Sequence, residues 1–384
     1  MASGASRAVA PPQILMDLSF SPSQQLLQQS ARAFLQPRCP PERVQEWALD
    51  PRGFAADLWK EIATLGWPGL LVPTELGGSG GSVGDAVALV EELGRACFPS
   101  PFIASAVVAT TALAAAGGRR AHALLPALAM GERICALAVL EESGRFDPAG
   151  LTLPVVAPGR LTGRKLFVSD AHVATDVIVL GQAAAGPTAL LLPMDRAGIT
   201  ARPLDSMTGD KLFELELADV ETGPDDLLAA PGGGWALLAP ACRLGALARS
   251  AEMVGAAQRV LELCVEHARV RVQGGRPIGG YQAIQHACAD LFRDVESARW
   301  LVWEAAWKVE SARPDADAAV ATAKAYGATA CLRVARRGHQ IMGAIGYSEE
   351  HPLHLFHKRI LAAGLDMGDA ALHLETVAQA IGLA

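Results

Sequence analysis

The apolar period of this chain changes twice, and that double change limits the folds open to it more than any other feature. Over residues 26–35, 54–65, 83–96 and 102–116 apolar side chains recur at three- and four-residue steps, the spacing of one helix face. From about residue 134 to 220 the texture becomes short β-rich runs, at 135–140, 165–168, 176–180, 188–192 and 212–217, separated by Gly, Pro and Asp. After Gly232, Gly233 and Gly234 the helical period returns and holds to the end. Such a succession predicts an α+β fold in four parts: a mobile tail over 1–16, a helical domain over 17–132, a β-barrel or sandwich over 133–230, and helices over 231–384. Ser21 and Pro22 have the residue types of an N-cap and a first-turn proline, so the first helix is expected to open there.

Composition narrows the function. With 384 residues, 51% apolar content and 19% charge, the chain reads as an ordinary globular protein rather than a disordered one. A net charge of −7 without a Lys/Arg stripe argues against a nucleic-acid partner, though not against a small anion held locally. Cys39, Cys97, Cys135, Cys242, Cys264, Cys288 and Cys331 are scattered singly, without C-x-x-C spacing, and read as reduced core residues of a cytoplasmic protein. No apolar run follows Arg7, so no signal peptide is expected, and the greasy stretch over 102–116 is too short for a membrane span.

One interruption within the last helical region carries chemistry. Helical spacing runs through Met253, Ala257, Val260, Cys264 and Ala268, breaks, and resumes at Ile284, Cys288, Leu291 and Val295. The break holds Arg271, Gln273, Gly274, Gly275, Pro277 and Gln282. A guanidinium suits a diphosphate, Gln suits a nucleobase edge, and Gly permits close approach of the backbone to either. The plainer reading is a helical hairpin whose polar residues face water.

The order of these residues resembles the R-x-Q-[F]-G-x-P-I-x-x-x-Q-x-x-Q signature of acyl-CoA dehydrogenases, with Gly274 in place of the usual Phe. Further segments are similar to the same family. The glycine-rich stretch over 66–81 fits neither G-x-G-x-x-G nor a P-loop but matches G-W-x-G-L-x-x-P-x-E-x-G-G-x-G, a segment that in the family shapes one wall of the cleft. Gly163-Arg-Lys165-Leu-Phe167-Val168-Ser169-Asp170-Ala171 resembles G-x-K-x-[WF]-I-[TS]-N-[AG]. Glu141 and Asp147 fit A-x-[ST]-E-P-x-A-G-S-D, whereas Leu140 replaces its hydroxyl. Gln340, Gly343, Ala344, Gly346 and Tyr347 fit Q-x-x-G-G-x-G-[FY].

The resemblance covers nearly everything beyond the tail and implies a C-terminal four-helix bundle, FAD as cofactor, an acyl-CoA substrate and an electron-transfer acceptor. It implies a homo- or hetero-oligomer, dimer or tetramer, with FAD at the interface. Phe167 would cover the flavin ring and Ser169 would bond its N5 edge, while Arg271, Gln273, Gln282, Gln340, Gly343 and Ala344 would reach the FAD of a neighbouring subunit. His351, His354 and His357 lack an E-x-x-H frame and have Pro352 among them, so they read as a solvated or interface stripe with no metal.

Removing an α-proton from a thioester requires a carboxylate held dry, with its pKa raised. The family's usual Glu slot falls on Met367, and the slot of a variant, thirteen residues before Gln258, falls on Gly245. Asp366 is the candidate base, one residue off, about 100° around a helix and one methylene shorter than Glu. Three readings follow from the resemblance. The first is a dehydrogenase that uses Asp366 or pairs with a second chain carrying the Glu, like the hetero-oligomeric steroid side-chain dehydrogenases of bacteria. The second is a flavin monooxygenase of the same fold. The third is a non-catalytic subunit that completes another chain's flavin site.

Overall fold

The computed structural model describes residues 16–53 and 55–383, so the tail expected before Met16 lies outside the described residues. Helix α1 (Pro22–Leu35) opens at the Ser-Pro pair. The Ser21 hydroxyl accepts from the Gln24 N–H at 3.2 Å, and the Gln24 side chain accepts from the Ser21 N–H at 3.0 Å, so two orphan donors are satisfied together. Helices α2 (Pro41–Leu49), α3 (Ala56–Thr64) and α4 (Val83–Arg95) follow. The segment over 102–116, expected as one helix, is a π-type stretch, Phe102–Ala109, continued by α5 (Thr110–Ala116), and α6 (Arg119–Ala129) closes the domain. Neither α2 nor α6 was legible as a period: α2 buries only Val44.

The central region has two three-stranded sheets, which face each other as a sandwich and do not close into a barrel. Strands β1 (Cys135–Ala138), β3 (Asp176–Ala183) and β4 (Gly186–Pro193) form one sheet, in the order β1-β3-β4. Strands β2 (Gly159–Ser169), β5 (Ile199–Leu204) and β6 (Leu212–Thr222) form the other, in the order β2-β6-β5. Val168, Val177, Val179, Leu190, Leu192 and Leu215 are shared between them as a second hydrophobic core. Strand β5 escaped the sequence reading because it is an edge strand: Arg202 and Pro203 are exposed, and an edge tolerates a proline that cannot donate to a ladder.

The C-terminal region consists of α7 (Gly234–Val270), the hairpin β7 (Val272–Gln273) and β8 (Arg276–Pro277), then α8 (Gln282–Glu310), α9 (Ala316–Met342), α10 (Leu353–Leu365) and α11 (Ala370–Ala380). Helices α7 to α10 form the four-helix bundle, and α11 packs on α9. The N-terminal helices dock on it through a close crossing of α4 with α7. A methyl on Gly94 would stand 2.1 Å from the Glu252 carbonyl oxygen, and one on Gly255 1.8 Å from that of Glu91, so the two backbones touch where neither residue has a side chain.

Candidate functional site

A cavity of about 460 Å³ opens where the β sandwich, α7, α10 and the loop over 204–212 meet. Its wall includes Leu140, Phe167, Ser169 and Asp170 on the β side, and Arg249, Arg359, Leu361 and Asp366 on the helical side. The glycine-rich loop over 66–81, expected as one wall, contributes no residue to this lining. It turns back on itself instead, with the Gly81 N–H donating to the Leu70 carbonyl at 2.7 Å.

A bulge aims the two aromatic-site residues. Between Lys165, paired with Leu215, and Val168, paired with Phe213, strand β2 carries one extra residue, and Phe167 takes a φ of 55°. An inserted residue bends a strand and re-aims its side chains. The Phe167 ring is thereby left 50% exposed at the cavity, and the Ser169 hydroxyl makes no hydrogen bond among the described residues. An uncovered aromatic face beside an uncommitted hydroxyl fits a planar heteroaromatic ring.

Lys165 anchors this bulge from beneath. It is 0% exposed, and its Nζ donates to the Val139 carbonyl at 3.0 Å and to Glu141 Oε1 at 2.6 Å. Burial alone would raise the Glu141 carboxyl, but Lys165 and Thr152 bring it below its ordinary value. Asp147, which also matched the motif, caps the short turn Pro148–Gly150 and pairs with Arg145.

Asp366 does line the cavity, but not as a residue one step around a helix. It leaves α10 in extended conformation (φ −68°, ψ 146°), and Met367 and Gly368 follow with φ of 59° and 93°. Lys324 fastens this turn, donating to the Gly364 and Gly368 carbonyls at 2.8 Å each, and burial pulls its ammonium down to about 8. The Asp366 carboxylate is already occupied. Arg249 reaches its Oδ2 from Nε and Nη2 at 2.7 Å, and the Met367 N–H donates to Oδ1 at 2.9 Å. Burial works against the Arg249 charge, yet Glu252 and Asp366 more than restore it, so it stays a fixed cation.

The two slots where the family pattern places a glutamate meet each other. Met367 is 7% exposed, and a methyl on Gly245 would stand 3.2 Å from its sulfur and 2.6 Å from Val108. Apolar atoms of Val108 and Met367 therefore crowd the Gly245 slot, and neither slot carries a carboxylate.

The remaining candidates lie elsewhere, at the end of the bundle where α7 and α9 run side by side. Arg271 caps α7, the Gly274-Gly275 pair turns the hairpin with φ of 62° and 80°, and the Tyr281 hydroxyl donates to the Gln273 carbonyl at 3.0 Å. Tyr281 also explains the missing Phe: a methyl at position 274 would come within 2.3 Å of its hydroxyl oxygen. Gln273, Gln282 and Gln340 are exposed, and Gly343 and Ala344 follow α9, with nothing within 4 Å of a side chain added at Gly343. Gln340 shares a groove with Arg336 and Arg337, and among the described residues neither of these arginines nor Arg271 has a carboxylate partner. None of the six expected residues lines the 460 Å³ cavity. Nearby, His339 bonds His357 at 2.8 Å and the Gly346 carbonyl at 2.7 Å, which ties the segment over 343–347 to α10.

Sequence reasoning missed Asp170, Arg249 and Lys324. Asp170 alone left a trace, standing where the family signature has Asn.

Comparison with known proteins agrees with this architecture. Residues 21–132 match the acyl-CoA dehydrogenase N-terminal domain, and residues 232–382 match the C-terminal domain. The chain is 32% identical over 336 residues to the acyl-CoA dehydrogenase IpdE2 of Mycobacterium tuberculosis, covering 87% of this chain and 90% of that protein. It superposes on a chain of the ChsE4-ChsE5 complex from Mycobacterium tuberculosis with a TM-score of 0.87 and 27% identity, over 96% of this chain and all of the other. Butyryl-CoA dehydrogenase from Megasphaera elsdenii shares the fold, with a TM-score of 0.88 at 24% identity over 95% of this chain and all of the other.

Proposed function

The chain belongs to the acyl-CoA dehydrogenase family, a family of FAD-dependent oxidoreductases, and on that premise we propose that it serves the α,β-dehydrogenation of an acyl-CoA thioester with its FAD held between two subunits. One observation carries this reading: the residues suited to the cofactor fall into two separate groups on one chain. Phe167 and Ser169 face the cavity, whereas Arg271, Gln273, Gln340 and Gly343 lie outside its lining, around the C-terminal ends of α7 and α9. In this reading a second chain brings the other group onto the same molecule of cofactor.

Bound FAD supplies the hydride acceptor. Phe167 would cover its ring and keep water from it, and Ser169 would offer the ring edge a hydroxyl able to donate or accept. From the neighbouring chain, Arg271, Arg336 and Arg337 offer charge to a diphosphate, and the open backbone at Gly343 admits it closely.

A second reading has support in the Met367–Gly245 contact: this chain pairs with a different subunit that carries the glutamate. The ChsE4-ChsE5 complex shows that a structural neighbour assembles with a differently named chain. Anaerobic mixing with acyl-CoA esters separates the readings. Bleaching of flavin in the homo-oligomer supports the first, and bleaching only after co-expression with a second dehydrogenase chain supports the other. Rapid reoxidation by O2 through an oxygenated intermediate would instead support a monooxygenase and overturn both.

Arg271→Ala should weaken FAD binding by about 1.5–3 kcal/mol, roughly 10- to 150-fold, as for a lost charge-assisted contact. Fluorimetric titration of the apoprotein with FAD measures this. An unchanged affinity would remove Arg271 from the site.

A further inference from the structure

Proton abstraction needs a carboxylate in the cavity that is not already consumed by donors. Asp366 has three donors on it, and Asp210 is taken by the Thr208 hydroxyl at 2.6 Å and by Arg359 at 3.4 Å. Asp205 stands at the rim, exposed to water. Asp170 differs from all three. It is half-buried, it lines the cavity directly after Ser169, and among the described residues no side chain or N–H hydrogen-bonds or ion-pairs with its carboxylate.

Its placement is fixed by the backbone. The Asp170 N–H donates to the Lys211 carbonyl at 2.9 Å, and its φ of 56° is a conformation that Asp and Asn adopt more readily than other side chains. The main chain from which the carboxylate enters the cavity lining is thus held in place. The charged groups facing it are Arg249 from α7, Arg359 and Asp366 from α10, and Asp210 from the loop over 204–212. Both arginines already carry carboxylate partners, so their pull on Asp170 is shared with those anions.

We propose that Asp170 is the proton acceptor of this cavity, in place of the Arg249-bound Asp366 and the apolar slots at Met367 and Gly245. The inference rests on the dehydrogenase reading above. The proton on Cα passes to an Asp170 oxygen, and the electron pair of that C–H bond becomes the Cα–Cβ π bond as hydride leaves Cβ for the flavin. The thioester loses two hydrogens, the flavin gains two electrons, and Asp170 is left neutral until it returns its proton to water. Burial, aided by Asp210 and Asp366 and opposed by the two arginines, pushes the Asp170 carboxyl up to about 7, where an acid–base group works best near neutrality.

The test uses flavin-loaded protein labelled with ¹³C in its aspartate carboxyls, titrated by infrared difference spectroscopy in wild type, Asp170→Asn and Asp366→Asn. One carboxyl should titrate near pH 7 in wild type and vanish in Asp170→Asn. In Asp366→Asn it should persist at lower pH, because Arg249 loses a counter-charge and favours the ionised Asp170. In parallel, the acyl-CoA ester that bleaches wild type fastest should bleach Asp170→Asn at least about 100-fold more slowly while the oxidised flavin spectrum stays unchanged. A titration near pH 7 that survives in Asp170→Asn, or bleaching lost in Asp366→Asn but kept in Asp170→Asn, overturns the proposal. If no ester bleaches wild type alone or co-expressed with a second dehydrogenase chain, the dehydrogenase reading fails by itself; the infrared titration decides separately, and absence of the pH 7 carboxyl from wild type would overturn the role of Asp170.

Discussion

Lys165→Met should destabilise the protein by about 3–5 kcal/mol, although the side chain reaches no part of the surface. The substitution removes the ammonium but leaves Glu141 buried, with an anion that was balanced at 2.6 Å. Removing one member of a buried pair costs far more than removing both, because the survivor is left uncompensated. Denaturant midpoints of Lys165→Met and of Lys165→Met/Glu141→Gln check this. The double variant should recover much of the loss, since Gln can still accept from the N–H groups of Thr152 and Leu153, which lie 2.7–3.2 Å from the Glu141 oxygens. Equal loss in both variants would mean that Lys165 stabilises by packing alone. The pair also underlies the site, because Lys165 sits two residues before Phe167 at the base of the bulge.

Asp170→Asn should have the opposite effect on stability, with a marked dependence on pH. The folded carboxyl stands near 7 and the unfolded one near its ordinary 3.8, so between these values the folded state holds a proton that the unfolded state has released. Wild-type stability therefore falls as pH rises through this window, and the whole cost of the buried anion is felt above it. Asn carries no such cost and tolerates the same backbone angle. We expect Asp170→Asn to be more stable than wild type by about 2 kcal/mol at pH 8, less than the full equivalent of the shift because the cavity admits water, with the gain shrinking toward zero near pH 4. Urea midpoints at the two pH values measure it. A gain independent of pH would show that the carboxyl titrates normally.

Such a residue illustrates what the sequence could and could not disclose. Periodicity located most helices and every strand with an apolar run, because burial on one face leaves a spacing that survives without coordinates. It failed at α2, which buries too little, and at β5, whose edge position removes the apolar alternation. Motif order singled out Phe167 and Ser169, which line the cavity, and Arg271, Gln273, Gln282, Gln340, Gly343 and Ala344, which do not. Asp366, expected as the base, lines the cavity, yet its value as a base depends on Arg249, 117 positions earlier in the chain, and no local pattern records that pairing. Lys324 was invisible for the same reason: a lysine inside a helical period reads as solvated until the Gly364 and Gly368 carbonyls are seen to close over it.

The division of the cofactor site between two chains is the claim on which the functional account depends. Sedimentation of the flavin-loaded protein, with absorbance followed at both the protein and flavin bands across a dilution series, tests it most directly. Flavin should travel with the dimer or larger species and be released as the protein dissociates, leaving colourless monomer. Monomer that retains one FAD per chain would contradict the account, because Arg271, Gln273, Gln340 and Gly343 would then have no cofactor to reach.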